Sequence, residues 1–250
     1  MEWYHIIAVL ATGLAAGFIN TVAGGGSSIT LPMLMFLGLP ANVANGTNRI
    51  AILLQSIVGV GAYRKSRVFR FSEGWRLSVP SALGALAGAL VAVEVNDDLM
   101  RWIITGIMVG MLFLVVFKPE AWIKKQAGEA PVKTGKWQYV IFFLIGFYGG
   151  FIQVGVGFLL LAGLVLGSGL DLVRANALKV MIVMVYTVIA LGIFWSNNQV
   201  HLWMGLLLGL GSMAGAYAGV RYTIRGGAVY VRYFLIVMLL VMILKLAGAF

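Results

Sequence analysis

Along the 250 residues, polar positions gather in short clusters that separate long apolar runs. Runs of about 18 residues or more can cross a hydrocarbon core about 30 Å thick as helices rising about 1.5 Å per residue. A strand crossing would need only about ten residues of alternating polarity, and no such alternation is present. The pattern therefore predicts an all-α polytopic membrane protein. Full spans are expected at 44–63, 76–95, 100–117, 175–195, 203–220 and 233–250. Two further apolar segments, 5–38 and 138–168, are interrupted by glycine. Counting each interrupted segment once gives about eight hydrophobic segments.

The first interruption reads INTVAGGGSSITLP, from Ile19 to Pro32. Glycine supplies the positive φ of a tight reversal, and its lack of a Cβ lets backbones approach closely. The pieces on either side, about 17 and about 12 residues, are short for a crossing. A re-entrant helical hairpin follows as the expectation: the chain enters the membrane, turns at GGGSS and returns. Irregular backbone at that depth survives only where protein buries it or where it lines a wet cavity. Glycine serving helix packing alone is the competing reading.

The two halves of the chain resemble one another. GLAAGFINTVAGGG from Gly13 matches GFYGGFIQVGVGF from Gly146, setting Gly24 against Gly157 and Asn20 against Gln153. ANGTNR from Ala44 matches ANALKV from Ala175, and Ser81, Gly84 and Gly88 match Ser212, Gly215 and Gly219. A first transmembrane repeat over 1–117, a basic cytoplasmic linker over 118–137 and a second repeat over 138–250 are expected. The small-xxx-small pairs Gly84/Gly88 and Gly215/Gly219 read as helix packing.

Charge orients these segments. Arg64, Lys65, Arg67, Arg70 and Arg76 mark one loop as cytoplasmic, and Lys118, Lys124, Lys125, Lys133 and Lys136 mark the linker likewise. Glu94, Asp97 and Asp98 place the next loop outside. In the second half, SNNQVH from Ser196 is uncharged, while RYTIRGGAVYVR from Arg221 is basic and is expected as a cytoplasmic loop between the last two spans. Equivalent loops thus carry opposite bias, which implies two inverted-topology repeats, each a glycine-broken hairpin plus three transmembrane helices, with both termini outside. The start, MEWYHIIAVLATG, carries no Lys or Arg, so it is expected to be the first membrane segment rather than a cleaved signal peptide.

Composition agrees: 61% of residues are hydrophobic and 10% charged, against about 25% charged in a soluble domain. The net charge of +10 lies in inter-span clusters, so it does not imply nucleic acid. With no cysteine and only His5 and His201, thiolate chemistry, disulfides and a histidine cage are excluded, and no metal or cofactor is expected. Trp3, Tyr4, Trp75, Trp102, Trp137 and Trp203 fall near span ends, as an aromatic belt does.

Candidate chemistry centres on the breaks. A helix restarting after a glycine turn offers free N–H groups and a positive dipole end, which suits an anion. Ser27 and Ser28, with Thr30, sit at such a restart, and Gly24, Gly25 and Gly26, with Gly155 and Gly157 opposite, could add amide donors. Simple capping of the second half-helix uses the same geometry. Asn45, Thr47, Asn48 and Arg49 open one span, while Asn176 and Lys179 open another. Arg49 and Lys179 are isolated cations against apolar runs, and such groups mark a substrate path; for Arg49, snorkelling to the interface is an equal alternative. All eight carboxylates fall at ends, loops or linker. A cation site or proton relay would need one at depth, so the path should prefer anions. The substrate-binding set is then Asn20, Gly24, Gly25, Gly26, Ser27, Ser28, Asn45, Thr47, Asn48, Arg49, Gln153, Gly155, Gly157, Asn176 and Lys179.

These motifs carry a family resemblance. GFINTVAGGGSSITLPMLMFLGLP followed by ANGTNRIAI, and GFYGGFIQVGVGFLLL followed by RANALKVMIV, resemble the sulfite exporter TauE/SafE family of bacterial membrane permeases over essentially the whole chain. The resemblance implies secondary transport of sulfite or organosulfur anions such as sulfonates, and a multi-pass protein of the bacterial inner membrane. Its glycine and polar motifs carry over onto Gly24, Gly25, Gly26, Asn45, Thr47 and Asn48. The second-half motif is less polar here, with Val154, Val156 and Phe158 where Thr21, Ala23 and Gly25 stand in the first. The partners implied are a small anionic substrate and membrane lipid, with no nucleic acid; a homo-oligomer is left open. Alternating access and export, aided by an inside-negative potential, form the expected mechanism. An anion channel is the alternative; an intramembrane enzyme would need a nucleophile, acid/base pair or metal that the sequence does not show.

Overall fold

The computed structural model describes the backbone of residues 2–68, 71–117 and 135–246, and side chains over the same ranges except 71–73, 111–117 and 226–246. Every regular element among the described residues is helical. In chain order these are α1 (Trp3–Val22), α2 (Ser27–Phe36), α3 (Ala41–Lys65), α4 (Phe71–Glu94), α5 (Asp97–Phe117), α6 (Lys136–Phe151), α7 (Val156–Ala162), which runs into a π-helical turn at Gly163–Gly167, α8 (Leu172–Ser196) and α9 (Leu202–Leu246). Most of the expected linker, 118–134, lies outside the described residues.

Polarity is distributed as in a protein dissolved in lipid. Leu83, Leu86, Leu90 and Val91 of α4 are exposed, whereas Arg49, Lys179, Asn45, Asn48 and Asn176 are buried. Trp3, Trp75, Trp102, Trp137 and Trp203 are all more than half exposed near helix ends. Helical stretches long and apolar enough to cross a membrane are Trp3–Val22, Gly74–Glu94, Leu172–Ser196 and Leu202–Arg225; Ser27–Phe36 and Val156–Gly167 are apolar but shorter. α3 has the length, at 25 residues, yet its hydropathy is diluted by Asn45, Thr47, Asn48, Arg49, Gln55 and Ser56. Those side chains are all buried against the protein, not the lipid.

Both interrupted segments break their helices at the glycines. The Gly26 amide donates to Asn20 Oδ1 of α1 at 2.7 Å, and a Cβ at Gly26 would strike the Ala16 carbonyl. In the second segment, Gln138 Nε2 donates to the Gly167 carbonyl at 2.8 Å and to Ser168 Oγ at 3.1 Å, tying the two ends together. The descending helix α1 has 20 residues, longer than expected and sufficient for a crossing of about 30 Å.

α1 packs along α9 and α6 along α4, backbone against backbone. A Cβ at Gly17 would collide with Ser212, as one at Gly146 would with Ser81; Gly215 and Gly219 face the Leu14 and Phe18 carbonyls, as Gly84 and Gly88 face those of Phe143 and Phe147. These paired contacts keep the expected match between Ser81/Gly84/Gly88 and Ser212/Gly215/Gly219. They move the match of α1 to α6 by one helical turn: Gly17, not Gly13, corresponds to Gly146. Small residues spaced four apart made the two registers look alike in sequence.

The basic stretch from Arg221 does not form the expected loop. α9 continues as one 45-residue helix, about 67 Å at the usual rise, so spans 203–220 and 233–250 are not separate elements. In the first half the same connection is broken at Asn96, whose Oδ1 accepts from the Leu99 amide at 2.8 Å, with Asp97 and Asp98 in the first turn of α5. RGGAVYVR holds no Asn, Asp, Ser or Pro to cap or stop a helix, and two glycines alone do not end one.

Candidate functional site

The site begins with the problem of two helix ends inside the protein. α1 stops where Gly24 adopts φ +94°, and both Ala23 and Gly24 amides return to the Ile19 carbonyl. The carbonyls of Asn20, Thr21 and Val22 are left without helical partners. α8 supplies them. Lys179 Nζ donates to the Asn20 and Thr21 carbonyls at 2.9 and 3.0 Å and to Asn176 Oδ1 at 2.6 Å, while Asn176 Nδ2 donates to the Val22 carbonyl at 3.1 Å.

α6 ends in the same way. Arg49 Nη1 donates to the Gly149 carbonyl at 2.9 Å, Nη2 to the Gly150 carbonyl at 2.6 Å, and Asn45 Nδ2 to the Phe151 carbonyl at 2.8 Å. Arg49 also reaches Gln153 Oε1 at 3.4 Å and lies 4.6 Å from the centroid of the Phe194 ring. Each buried cation therefore sits at the negative dipole end of a half-helix contributed by the other half of the chain. Arg49 does not snorkel: it is wholly buried.

Between the breaks lies a pocket. Its polar lining is Asn20, Thr21, Gln55, Ser56, Gln153 and Lys179; Ile52, Val180, Val183, Gly24 and Gly157 complete it. Gly24 and Gly157 meet Cα to Cα, and a Cβ on either would enter the backbone of the other. Only glycine allows the two breaks to touch. Among the described residues no carboxylate lines the pocket, and no group of three or more His, Asp and Glu could hold a metal ion.

Of the residues expected at a binding site, the structure brings Asn20, Gly24, Gln153, Gly157 and Lys179 together at the pocket. The others lie around it. Gly25 and Gly26 form the buried turn, and Gly155 holds φ +70° before α7. Ser27 Oγ accepts from Asn48 Nδ2 at 3.3 Å, and Asn48 Oδ1 accepts from Thr30 Oγ1 at 2.7 Å, so these side chains join α2 to α3. Ser28 is partly buried in the first turn of α2. Thr47 Oγ1 accepts from the His201 amide at 2.8 Å. Asn45, Asn176 and Arg49 bind helix ends, as described. Sequence reasoning missed Thr21, Gln55 and Ser56. The last two interrupt the apolar run IAILLQSIVGVG, and a polar pair at that depth is a signal that could have found them.

A bundle of helices with apolar outer faces surrounding buried, broken-helix polar groups is the architecture of a polytopic membrane protein. The chain belongs to the sulfite exporter TauE/SafE family, whose sequence profile matches residues 9–246, and it is a membrane transporter. It is 29% identical over 244 residues to a probable membrane transporter protein, ORF9, of Sinorhizobium, covering 97% of this chain and 93% of that one. It is 24% identical to a probable membrane transporter protein of Haemophilus influenzae, covering 96% and 94%, and 27% identical to the probable membrane transporter protein YfcA of Escherichia coli, covering 93% and 86%. No solved structure matches.

Proposed function

We propose that the protein is a secondary transporter that exports small sulfur-containing anions, sulfite or organosulfonates, across the bacterial inner membrane. The substrate binds in the pocket where the two breaks meet, and the site opens alternately to either side. The observation that carries this reading is the composition of the pocket wall: a buried lysine, neutral amides and hydroxyls, and no carboxylate. The Lys179 ammonium spends its three donors on protein oxygens, so its charge acts on the anion through space in a medium of low dielectric.

We read the two halves as inverted repeats and the two interrupted segments as re-entrant hairpins. The paired Lys179 and Arg49 contacts, the paired asparagines and the paired glycine seams support this, because each arrangement is made twice with the halves exchanged. We read the positive loop after α3 as cytoplasmic. An inside-negative potential then contributes about 2.3 kcal/mol per charge per 100 mV toward export, with no coupling ion.

The test is flux from proteoliposomes loaded with sulfite, methanesulfonate, sulfate, sodium or glucose. An imposed inside-negative potential is expected to accelerate efflux of the sulfur anions. Preferred movement of the cation or the sugar would end the anion reading, and unitary conductance far above carrier turnover would replace the carrier with a channel.

A further inference from the structure

Away from the pocket, one contact joins the start of α3 to the turn between α8 and α9 and leaves no room between them. A Cβ at Gly46 would strike the Gln199 carbonyl and press on the Phe194 ring. Next to it, Thr47 Oγ1 accepts from the His201 amide at 2.8 Å. The Gln199 side chain reaches the other way, Nε2 donating to the Val93 carbonyl of α4 at 2.9 Å. Backbone lies on backbone, as in the helix seams, but here one partner is a short turn, which can shift without unravelling a helix. Asn197 and Asn198 of that turn are exposed, while Gly46, Thr47 and Phe194 beneath it are buried.

The matched place in the other half is built differently. Matching Asn45 to Asn176 sets Gly46 and Thr47 against Ala177 and Leu178, and Gln199 against Val68. There Tyr63, Ala177 and Met181 share an apolar cluster on which Val68 packs. Apolar contact has no preferred direction, whereas a hydrogen bond fixes its partners. The turn at 197–201 is therefore latched. Phe194, in the last turn of α8, connects this latch to the second break, since its ring lies against the Arg49 guanidinium that holds the Gly149 and Gly150 carbonyls.

Resting on the alternating-access reading, we propose that the 197–201 turn, with Phe194 beneath it, is the outer gate of the transporter, shut in this structure. Gly46 lets the turn seat fully, and the Thr47 hydroxyl holds it there. Release of substrate to the outside requires this contact to part. A side chain that keeps the Gln199 backbone off Gly46 shifts the population toward the outward-open form.

The chain contains no cysteine, so one introduced thiol reports access to the pocket. Ser56→Cys places it in the pocket wall, at a position 2% exposed. The experiment measures its modification by 2-sulfonatoethyl methanethiosulfonate, a membrane-impermeant anion, in right-side-out and inverted membrane vesicles, alongside sulfite efflux by the native protein. Adding Gly46→Ala is expected to speed modification from outside about tenfold and to slow it from inside. Thr47→Val, which removes the latch and keeps the volume, is expected to speed it about threefold to fivefold, the worth of one hydrogen bond. Gly61→Ala, on the same helix with nothing within 4 Å of the new Cβ, is expected to change neither rate. An unchanged outside rate in both Gly46→Ala and Thr47→Val would overturn the inference, as would an equal rise from both sides, which marks loosened packing. Thr47→Val decides alone if Gly46→Ala does not fold. Native sulfite efflux with unaltered labelling leaves the transport reading standing while the gate fails. Altered labelling without sulfite efflux upholds the gate and removes sulfite as its cargo.

Discussion

The two breaks share a frame and differ in what fills it. At each, a cation and an asparagine from the opposite half close the carbonyls of a half-helix: Lys179 and Asn176 on α1, Arg49 and Asn45 on α6. Matching Asn45 to Asn176 sets Gln55 and Ser56 of α3 against Tyr186 and Thr187 of α8. Gln55 and Ser56 line the pocket. Tyr186 is fully buried, and its hydroxyl takes the Gln153 amide, so bulk occupies the corresponding place at the second break. What the halves have in common holds broken helices together; where they differ, one side is left open. The connecting turns are of equal length, four residues each: AGGG between α1 and α2 and IQVG between α6 and α7.

The first way to break this comparison is to remove the cation that lies away from the pocket. Arg49→Met orphans the Gly149 and Gly150 carbonyls, loses the contact over Phe194 and shortens one of the largest buried side chains. At about 1–3 kcal/mol for each stranded polar group, the loss is expected to reach about 4 kcal/mol or more, seen as a collapse of the thermal melt and of the monodisperse elution peak. If the variant melts like the native protein, the capping role of Arg49 is wrong.

Lys179→Met comes next. Methionine nearly conserves the volume, so the cost is the stranded Asn20 and Thr21 carbonyls, about 2–3 kcal/mol in the melt. Unlike Arg49, this residue lines the pocket, and sulfite affinity in the folded fraction is expected to fall more than tenfold. A folded variant that binds sulfite normally would make the two cations alike and reduce both to caps.

Much of this was legible in the chain, and what was not has definite causes. The helical class, the glycine breaks, and Asn20, Gln153 and Lys179 at the pocket all follow from residue type and position. That both cations spend their hydrogen bonds on helix ends did not, because a sequence shows an isolated charge without showing which distant carbonyls lack partners. Gln55 and Ser56 were absorbed into a span because hydropathy averages over a window. The register of α1 against α6 slipped by a turn because its small residues recur every four positions. The continuity of α9 was hidden because basic charge reads as loop, whereas the absence of a capping residue decides whether a helix ends.

A smaller effect tests whether the breaks must touch. Gly24→Ala adds a Cβ that runs into the Gly157 backbone at φ +94°, whereas Gly38→Ala meets the same kind of φ, +91°, with nothing within 4 Å of the new atom. The Gly38 variant is expected to lose about 1 kcal/mol, the left-handed penalty alone, and the Gly24 variant about 2 kcal/mol or more together with transport. Equal melts for the two would mean that the tips separate freely and that their contact does not set the pocket.

The smallest expected change is the most discriminating for the division between frame and site. Thr187 matches Ser56, is buried, and leaves its Oγ1 without a partner. Thr187→Val replaces that unpaired hydroxyl with a methyl of the same shape, which is expected to leave the melt unchanged or to raise stability by up to about 1 kcal/mol. Sulfite flux is expected to stay at the native level, because nothing at that position faces the pocket. Ser56→Val, which also removes the hydroxyl at the matched position but adds a methyl branch at the pocket wall, is expected to lower sulfite affinity severalfold with little effect on the melt. If Thr187→Val instead depresses flux as much as Ser56→Val does, the second half harbours a working site of its own, and the asymmetry between the two breaks belongs to this conformation and not to the protein.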